Sequence, residues 1–335
     1  MGPLFLREED VKAVLDFDMA INAVEEGFRQ YGLGCAQSPA WQDLDLSGEN
    51  VPHGAGPCIG QAMAFLETEK IAVIKHVHYY AHVLFANLKL IDVARGETLA
   101  VMEANFESWM RTGAAGAVGA KHLARKSSKA IGIIGTGNQA RAQVHFASRV
   151  LPANRLFAYS LDSVEQRNAF ALDIESELEI DVELTSSAQD AVENADVLIT
   201  STRSTQPIVR GEWIKNGLHI TSMGADDPMK VELAPSALSR ADKIIIDYEK
   251  ALETAQLRIP LVNGQLRSSD IHGTIGEVVS GHKPGRESEE EVTIFHSTGM
   301  AIQDAPLALA IYRKAREKGI GSRMADAMDM VVAAL

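Results

Sequence analysis

Ile131-Gly132-Ile133-Ile134-Gly135-Thr136-Gly137-Asn138-Gln139-Ala140 is the stretch that decides the fold. The short apolar run Ala130–Ile134 reads as a strand, and Gln139–Val150 reads as a helix. The G-x-G-x-x-A pattern between them is weak alone, but in a strand–turn–helix context it is what a dinucleotide-binding turn requires. Gly135 permits the tight turn, Gly137 lets the backbone approach a pyrophosphate, and Ala140 lets the helix pack close to the strand. Thr136, Asn138 and Gln139 complete the turn. The helix start offers free N–H groups and a partial positive charge to the phosphates.

Downstream, the runs Leu156–Tyr159, Val182–Leu184, Val197–Thr200, His219–Met223 and Lys243–Asp247 alternate with helical segments. Such alternation signals βαβ units and a parallel sheet. The end of the second run selects the cofactor: an acid there bonds the ribose 2′-OH of NAD, whereas an arginine accommodates the 2′-phosphate of NADP. Ser160 occupies that place, Asp162 follows, and no lysine or arginine is adjacent. NAD is therefore favoured, with Arg141 and Arg167 leaving NADP open as the alternative.

Upstream, residues 8–31 have the periodicity of one amphipathic helix. Ile71–Val77, His82–Asp92 and Thr98–Met102 read as strands of an antiparallel sheet, with a turn at Arg95-Gly96-Glu97. A small-residue helix is expected over 108–124, and a last helix begins near Gln303 and returns the chain to the first domain. The Glu287–Glu291 acidic cluster reads as a solvated loop.

A length of 335 residues suggests two domains and a core large enough to need no staple. The net charge of -13, with no basic stripe, excludes nucleic acid as the expected partner. No apolar run approaches the ~20 residues that span a bilayer. The start, Met1 to Leu6, does not look like a signal peptide, so a cytoplasmic location is expected. Cys35 and Cys58 lie in no metal-ligand spacing. His76 and His78 share one strand face, but no carboxylate or cysteine partner is apparent nearby in sequence. No metal is expected there. The segment containing His76, His78, Tyr79 and His82 reads rather as a polar substrate pocket or a dimer interface.

Several further blocks resemble the ornithine cyclodeaminase/μ-crystallin family in order and spacing. They are Lys75-His76-Val77; Ser108-Trp109-Met110-Arg111-Thr112-Gly113-Ala114-Ala115; the glycine turn; Thr202-Arg203-Ser204-Thr205-Gln206-Pro207; Gly224-Ala225-Asp226-Asp227-Pro228-Met229-Lys230-Val231-Glu232-Leu233; and Ser297-Thr298-Gly299-Met300-Ala301-Ile302-Gln303-Asp304. The resemblance implies an α/β chain. A Rossmann-type parallel-sheet domain would span 113–303. An α+β substrate-binding and dimerisation domain, 1–112, would be completed by the C-terminal helix in 304–335. It implies a homodimer and adds Thr202, Ser204, Met223 and Gly224 to the cofactor-binding set. It also implies that Lys75 and Arg111 hold a substrate carboxylate and that Asp226 is the acid beside the reacting nitrogen.

The residue chemistry agrees with those roles. A guanidinium grips a carboxylate bidentately, and Lys75 adds a point charge and a proton. Asp226 follows a parallel strand, where ligands of α/β sheets bind. Two departures stand out. Ala40, after Pro39, replaces an arginine that the family commonly uses, and residues 50–66 lack the glutamate that cyclodeaminases carry. Both weigh against ornithine cyclisation. His78 or Tyr79 is then expected to share in substrate recognition.

The function expected is NAD(P)-dependent reduction of a small imino acid, a ketimine, to an amino acid, or the reverse dehydrogenation. Iminosuccinate is a candidate by resemblance. The alternatives are an ammonia lyase of the cyclodeaminase type using bound NAD+, and a μ-crystallin-like ligand-binding protein.

Overall fold

The computed structural model describes residues 2–46, 57–80 and 83–323. His82, which the sequence places in the histidine-rich segment, lies outside them. The chain divides into two compact units, Met1–Arg111 with Met300–Leu335, and Thr112–Gly299.

In chain order the first unit contains β1 (Leu4–Leu6), α1 (Glu8–Val14), α2 (Phe17–Gly32), β2 (Ala36–Gln37), β3 (Gln42–Asp45), β4 (Cys58–Leu66), β5 (Ile71–Tyr80), β6 (Val83–Asp92) and β7 (Glu97–Glu103). The unit boundary falls within α3 (Asn105–Leu123). The second unit runs through β8 (Ala130–Ile134), α4 (Asn138–Val150), β9 (Arg155–Tyr159), α5 (Val164–Glu177), β10 (Asp181–Leu184), α6 (Ala188–Asn194), β11 (Val197–Thr200), β12 (His219–Ser222) and α7 (Pro235–Leu238). It ends with β13 (Lys243–Ile246), α8 (Ala255–Val262), β14 (Ile271–Thr274), α9 (Ile275–Val279) and β15 (Thr293–His296). The chain then re-enters the first unit as α10 (Asp304–Lys318) and β16 (Ser322–Arg323).

The first unit's sheet has the order β16-β1-β7-β6-β5-β4-β2, with β3 on β4. It is antiparallel except that β1 joins β7 in parallel. Its strands alternate buried and outward residues, as in β4, so one face packs on the core and the other faces out. The long helix expected over 8–31 is two helices. Asp16 breaks it, because its carboxylate accepts from the Met19 amide at 2.8 Å and caps a new start. The next helix begins at Asn105, three residues earlier than the sequence suggests, and this places Glu107 in its first turn.

The second unit holds an all-parallel sheet of order β10-β9-β8-β11-β12-β15-β13-β14. Ile131 and Ile133 of β8 pack with Val144, Leu156, Phe170 and Ile174. Leu198, Ile220, Ile244 and Ile294 belong to a second core cluster. Two covered faces explain why these strands read as unbroken apolar runs. The strand order reverses between β8 and β11, and such a switch point opens a crevice at the strands' carboxyl ends. The acidic loop is not simply solvated: the buried Lys243 ammonium is held by Glu287 at 2.6 Å and Glu291 at 3.1 Å. Among the described residues, Cys35 and Cys58 form no disulfide. Among the described residues, no helix is long and apolar enough to cross a membrane.

Candidate functional site

The glycine turn lies at the switch point of the second unit. Gly135 adopts φ 105°, a region that favours glycine, and an added Cβ would collide with the Ser201 carbonyl. Gly137 differs: a Cβ there would meet nothing within 4 Å. Gly137 is also the N-cap of α4, and no side chain caps the helix. Unfilled space in front of a glycine at an uncapped helix start suits a pyrophosphate. Ala140 is fully buried, which is the close helix–strand packing the third position demands. Asn138 and Gln139 open α4, and Gln139 Oε1 has no partner among the described residues.

At the end of β9 the Asp162 carboxylate accepts from the Ser160 hydroxyl at 2.6 Å and from the Thr136 hydroxyl at 2.5 Å. These bonds hold its pKa below the usual carboxylate range. An ionised acid tied to the glycine turn is matched to a ribose hydroxyl and mismatched to a 2′-phosphate. Arg141, which keeps NADP open in the sequence, donates to the Thr136 carbonyl at 2.8 Å and pairs with Asp173 at 3.0 Å. The turn and Asp162 therefore fit a dinucleotide without a 2′-phosphate.

A buried carboxylate, Glu232, organises the neighbouring loops. It accepts from Thr202 N at 2.6 Å, Gly224 N at 3.1 Å and the Thr200 hydroxyl at 2.7 Å. Met223 N bonds the Thr200 carbonyl at 2.9 Å, and Ser204 N bonds the Thr202 hydroxyl at 3.2 Å. Thr202, Ser204, Met223 and Gly224 are thus held together at the carboxyl ends of β11 and β12. Asp226 follows on the same loop and receives a 2.6 Å bond from Lys230. Within this unit His296 is buried, and burial pushes its pKa down to about 4, so it is neutral near pH 7. Neither Glu232 nor His296 is singled out by the sequence: Glu232 lies within the resembling stretch 224–233, where only Asp226 is given a role, and His296 stands just before the block that begins at Ser297.

In the first unit, Lys75 of β5, Glu107 and Arg111 of α3, and Gln303 and Asp304 at the start of α10 form one cluster. The Lys75 ammonium is fully buried, 2.9 Å from Glu107 Oε2 and hydrogen-bonded to Asp304 Oδ1. Arg111 donates to Gln303 Oε1 at 2.7 Å, and its Nε lies 3.7 Å from Asp304. The Arg111 side chain is 14% exposed and that of Lys75 is 1%. Glu107 Oε1, Asp304 Oδ2, Arg111 Nε and Gln303 Nε2 are buried and lack hydrogen-bond partners among the described residues. Unpaired buried polar atoms are costly, and this many at one point mark a place built to receive a polar group. Burial is the main force that raises Glu107, to about 7; Lys75 pulls it down and Asp304 pushes it up. Glu107 was missed because the helix was expected to start at Ser108. Its place four residues before Arg111 was the available signal, since i and i+4 share a helix face.

His78 does not join this cluster. Along β5, Lys75 and Val77 face inward while His76 and His78 face out. His78 pairs across the sheet with Ile59 and Phe85 and stacks on Phe85, with ring centroids 4.9 Å apart. Tyr79 has the inward parity of Lys75 but stands four residues along the strand, about 13 Å away at 3.3 Å per residue. The structure therefore does not bring His78 or Tyr79 to the carboxylate cluster. Among the described residues, no group of three or more His, Cys, Asp or Glu could hold a metal.

A glycine turn fit for a dinucleotide and a buried ion cluster with a partly exposed arginine fit for a carboxylate define an oxidoreductase-like chain. The ornithine cyclodeaminase/mu-crystallin family profile matches residues 1–319, and the chain belongs to that family. It is 37% identical over 327 residues to an alanine dehydrogenase of Archaeoglobus fulgidus, covering 97% of this chain and 98% of the relative. The Thermococcus litoralis Δ1-pyrroline-2-carboxylate reductase, solved with NADH and L-proline, superposes with a TM-score of 0.89. It is 32% identical, over 96% of this chain and 99% of that one. An archaeal alanine dehydrogenase dimer with bound NAD superposes with a TM-score of 0.88 at 36% identity, over 96% and 99%.

Proposed function

We propose that this chain is an NAD-dependent oxidoreductase that interconverts a small imino acid and the corresponding amino acid. The observation that carries the reading is the buried cluster at Arg111. Its guanidinium is held by Gln303, is partly exposed, and carries a polar atom still without a partner. A planar fork fixed in this way orients a carboxylate bidentately, which sets the pose of the adjacent α-carbon.

When bound, the nicotinamide supplies the hydride for imine reduction, or accepts it in the reverse direction. The chain's own residues bind and move protons. Gly135, Gly137 and the start of α4 hold the pyrophosphate, and Asp162 takes the ribose hydroxyls. Arg111 fixes the carboxylate, Lys75 stands behind it as a second positive charge, and Asp226 handles the proton at the substrate nitrogen. Identity to an alanine dehydrogenase across nearly the whole chain supports this chemistry.

A homodimer and a cytoplasmic site of action belong to the same reading. Ile59, Val83 and Phe85 are 48%, 50% and 44% exposed on the outward face of the first sheet, apolar surface that a partner would cover. A second copy is the occupant proposed for that face, as the dimeric relative suggests.

The test is a panel of cyclic imines and α-keto acids mixed with ammonia or amines, followed by NADH absorbance. Net NADH oxidation supports the reading. Ammonia release from ornithine without net NADH change would replace it with cyclodeamination, and binding without turnover would replace it with ligand carriage.

A further inference from the structure

Within the first unit, Lys75 and Arg111 bring two positive charges to the cluster, and Glu107 and Asp304 bring two negative ones. With all four ionised the cluster is neutral. A substrate carboxylate settling on Arg111 adds a negative charge beside two fully buried carboxylates. An uncompensated charge in such a place is expensive, and groups there neutralise by changing protonation. Among the described residues, the cations acting on Glu107 are Lys75 and, more weakly, Arg111, both already counted. Gln303 is neutral, and the residues flanking Lys75 across the sheet are Ala62 and Leu88.

We propose that Glu107 takes up a proton from solvent when a carboxylate binds at Arg111, so that the cluster is neutral with its ligand in place. The proposal rests on the reading of Arg111 as the carboxylate clamp. Glu107, not Asp304, is the group that changes. Asp304 lies against both cations, whereas Glu107 is hydrogen-bonded to Lys75 and feels Arg111 more weakly. Glu107 Oε1 has no donor among the described residues, so it accepts the proton without losing a hydrogen bond. When two carboxylates share one ammonium, one of them becomes the better base. Burial, which lifts Glu107 to about 7, puts this exchange within reach of neutral pH. The consequence is a carboxylate site whose affinity weakens as the solution becomes alkaline.

The experiment uses the protein saturated with NAD+, which has no hydride to give, and pyruvate as the carboxylate. Calorimetric titration in buffers of different ionisation heat counts protons. The wild type should take up about one proton per site at mildly alkaline pH, and its affinity should fall about tenfold per pH unit there. Glu107→Gln should take up none and show a flat profile. An infrared difference spectrum of the wild type, with and without pyruvate, should gain a protonated-carboxyl band, which needs no variant. Binding with no proton uptake, or the same uptake in Glu107→Gln, overturns the proposal and leaves the Arg111 reading standing. If pyruvate does not bind at all, the Arg111 reading fails and this proposal falls with it.

Discussion

Thr136 donates its hydroxyl to Asp162 at 2.5 Å, which fastens the glycine turn to the end of β9. The same carboxylate accepts from Ser160, and its lowered pKa keeps it ionised at neutral pH. NADH should therefore be used in preference to NADPH. Asp162→Ala should weaken NADH by roughly 1.5–3 kcal/mol, the worth of a charge-assisted hydrogen bond, or about 10- to 150-fold in kcat/KM. It should also narrow the gap to NADPH. Comparing kcat/KM for both cofactors in both proteins checks this, and an NADPH preference in the wild type would contradict it.

The two glycines of the turn should respond differently to substitution. Gly137→Val places its side chain in open space, so the melting temperature should stay near wild type while NADH binding is lost. Gly135→Ala combines φ 105° with a collision at the Ser201 carbonyl, so it should lower the melting temperature. Thermal melts with and without NADH distinguish the two outcomes.

Arg111→Lys keeps the charge and loses the planar fork. It should cost about 10- to 150-fold in kcat/KM for the imino acid while dinucleotide affinity stays near wild type. Adding Lys75→Met should damage less than additively, since both cations contact Asp304. Full activity in Arg111→Lys would make this arginine structural.

Glu107 also has a consequence for stability in the ligand-free protein. Its folded pKa, about 7, lies above its ordinary value of 4.5, so between these pH values the folded state binds more protons than the unfolded one. Its own contribution to stability is then greatest below about pH 4.5 and declines as pH rises to about 7. Relative to wild type, Glu107→Gln should therefore gain stability as pH rises through that window. Urea melts across the window read the sign, and a constant difference would show that Glu107 does not titrate there.

The parallel-sheet unit was legible because its strands are buried on both faces and its turn must be glycine-rich for steric reasons. The acid at Asp162 was legible too, though its bond to Thr136 was not. Three things resisted a sequence reading. Asp16 splits an apparently continuous helix, because the hydrophobic period carries across a local cap. The facing of His78 away from Lys75 follows strictly from strand alternation, yet the richness of that segment in polar rings suggested a single pocket. Glu107 and Asp304 stand 32 and 229 residues from Lys75, and a buried ion cluster built across such separations leaves no local pattern.

The central claim is hydride transfer between a nicotinamide and the α-carbon of an imino acid. NADH deuterated at C4 is incubated with the best imine of the panel, and the product amino acid is analysed by mass spectrometry and NMR. The account predicts one NADH consumed per amino acid formed, with deuterium at the α-carbon for one of the two C4 labels. Product formed without deuterium from either label, or with no net loss of NADH, would contradict it.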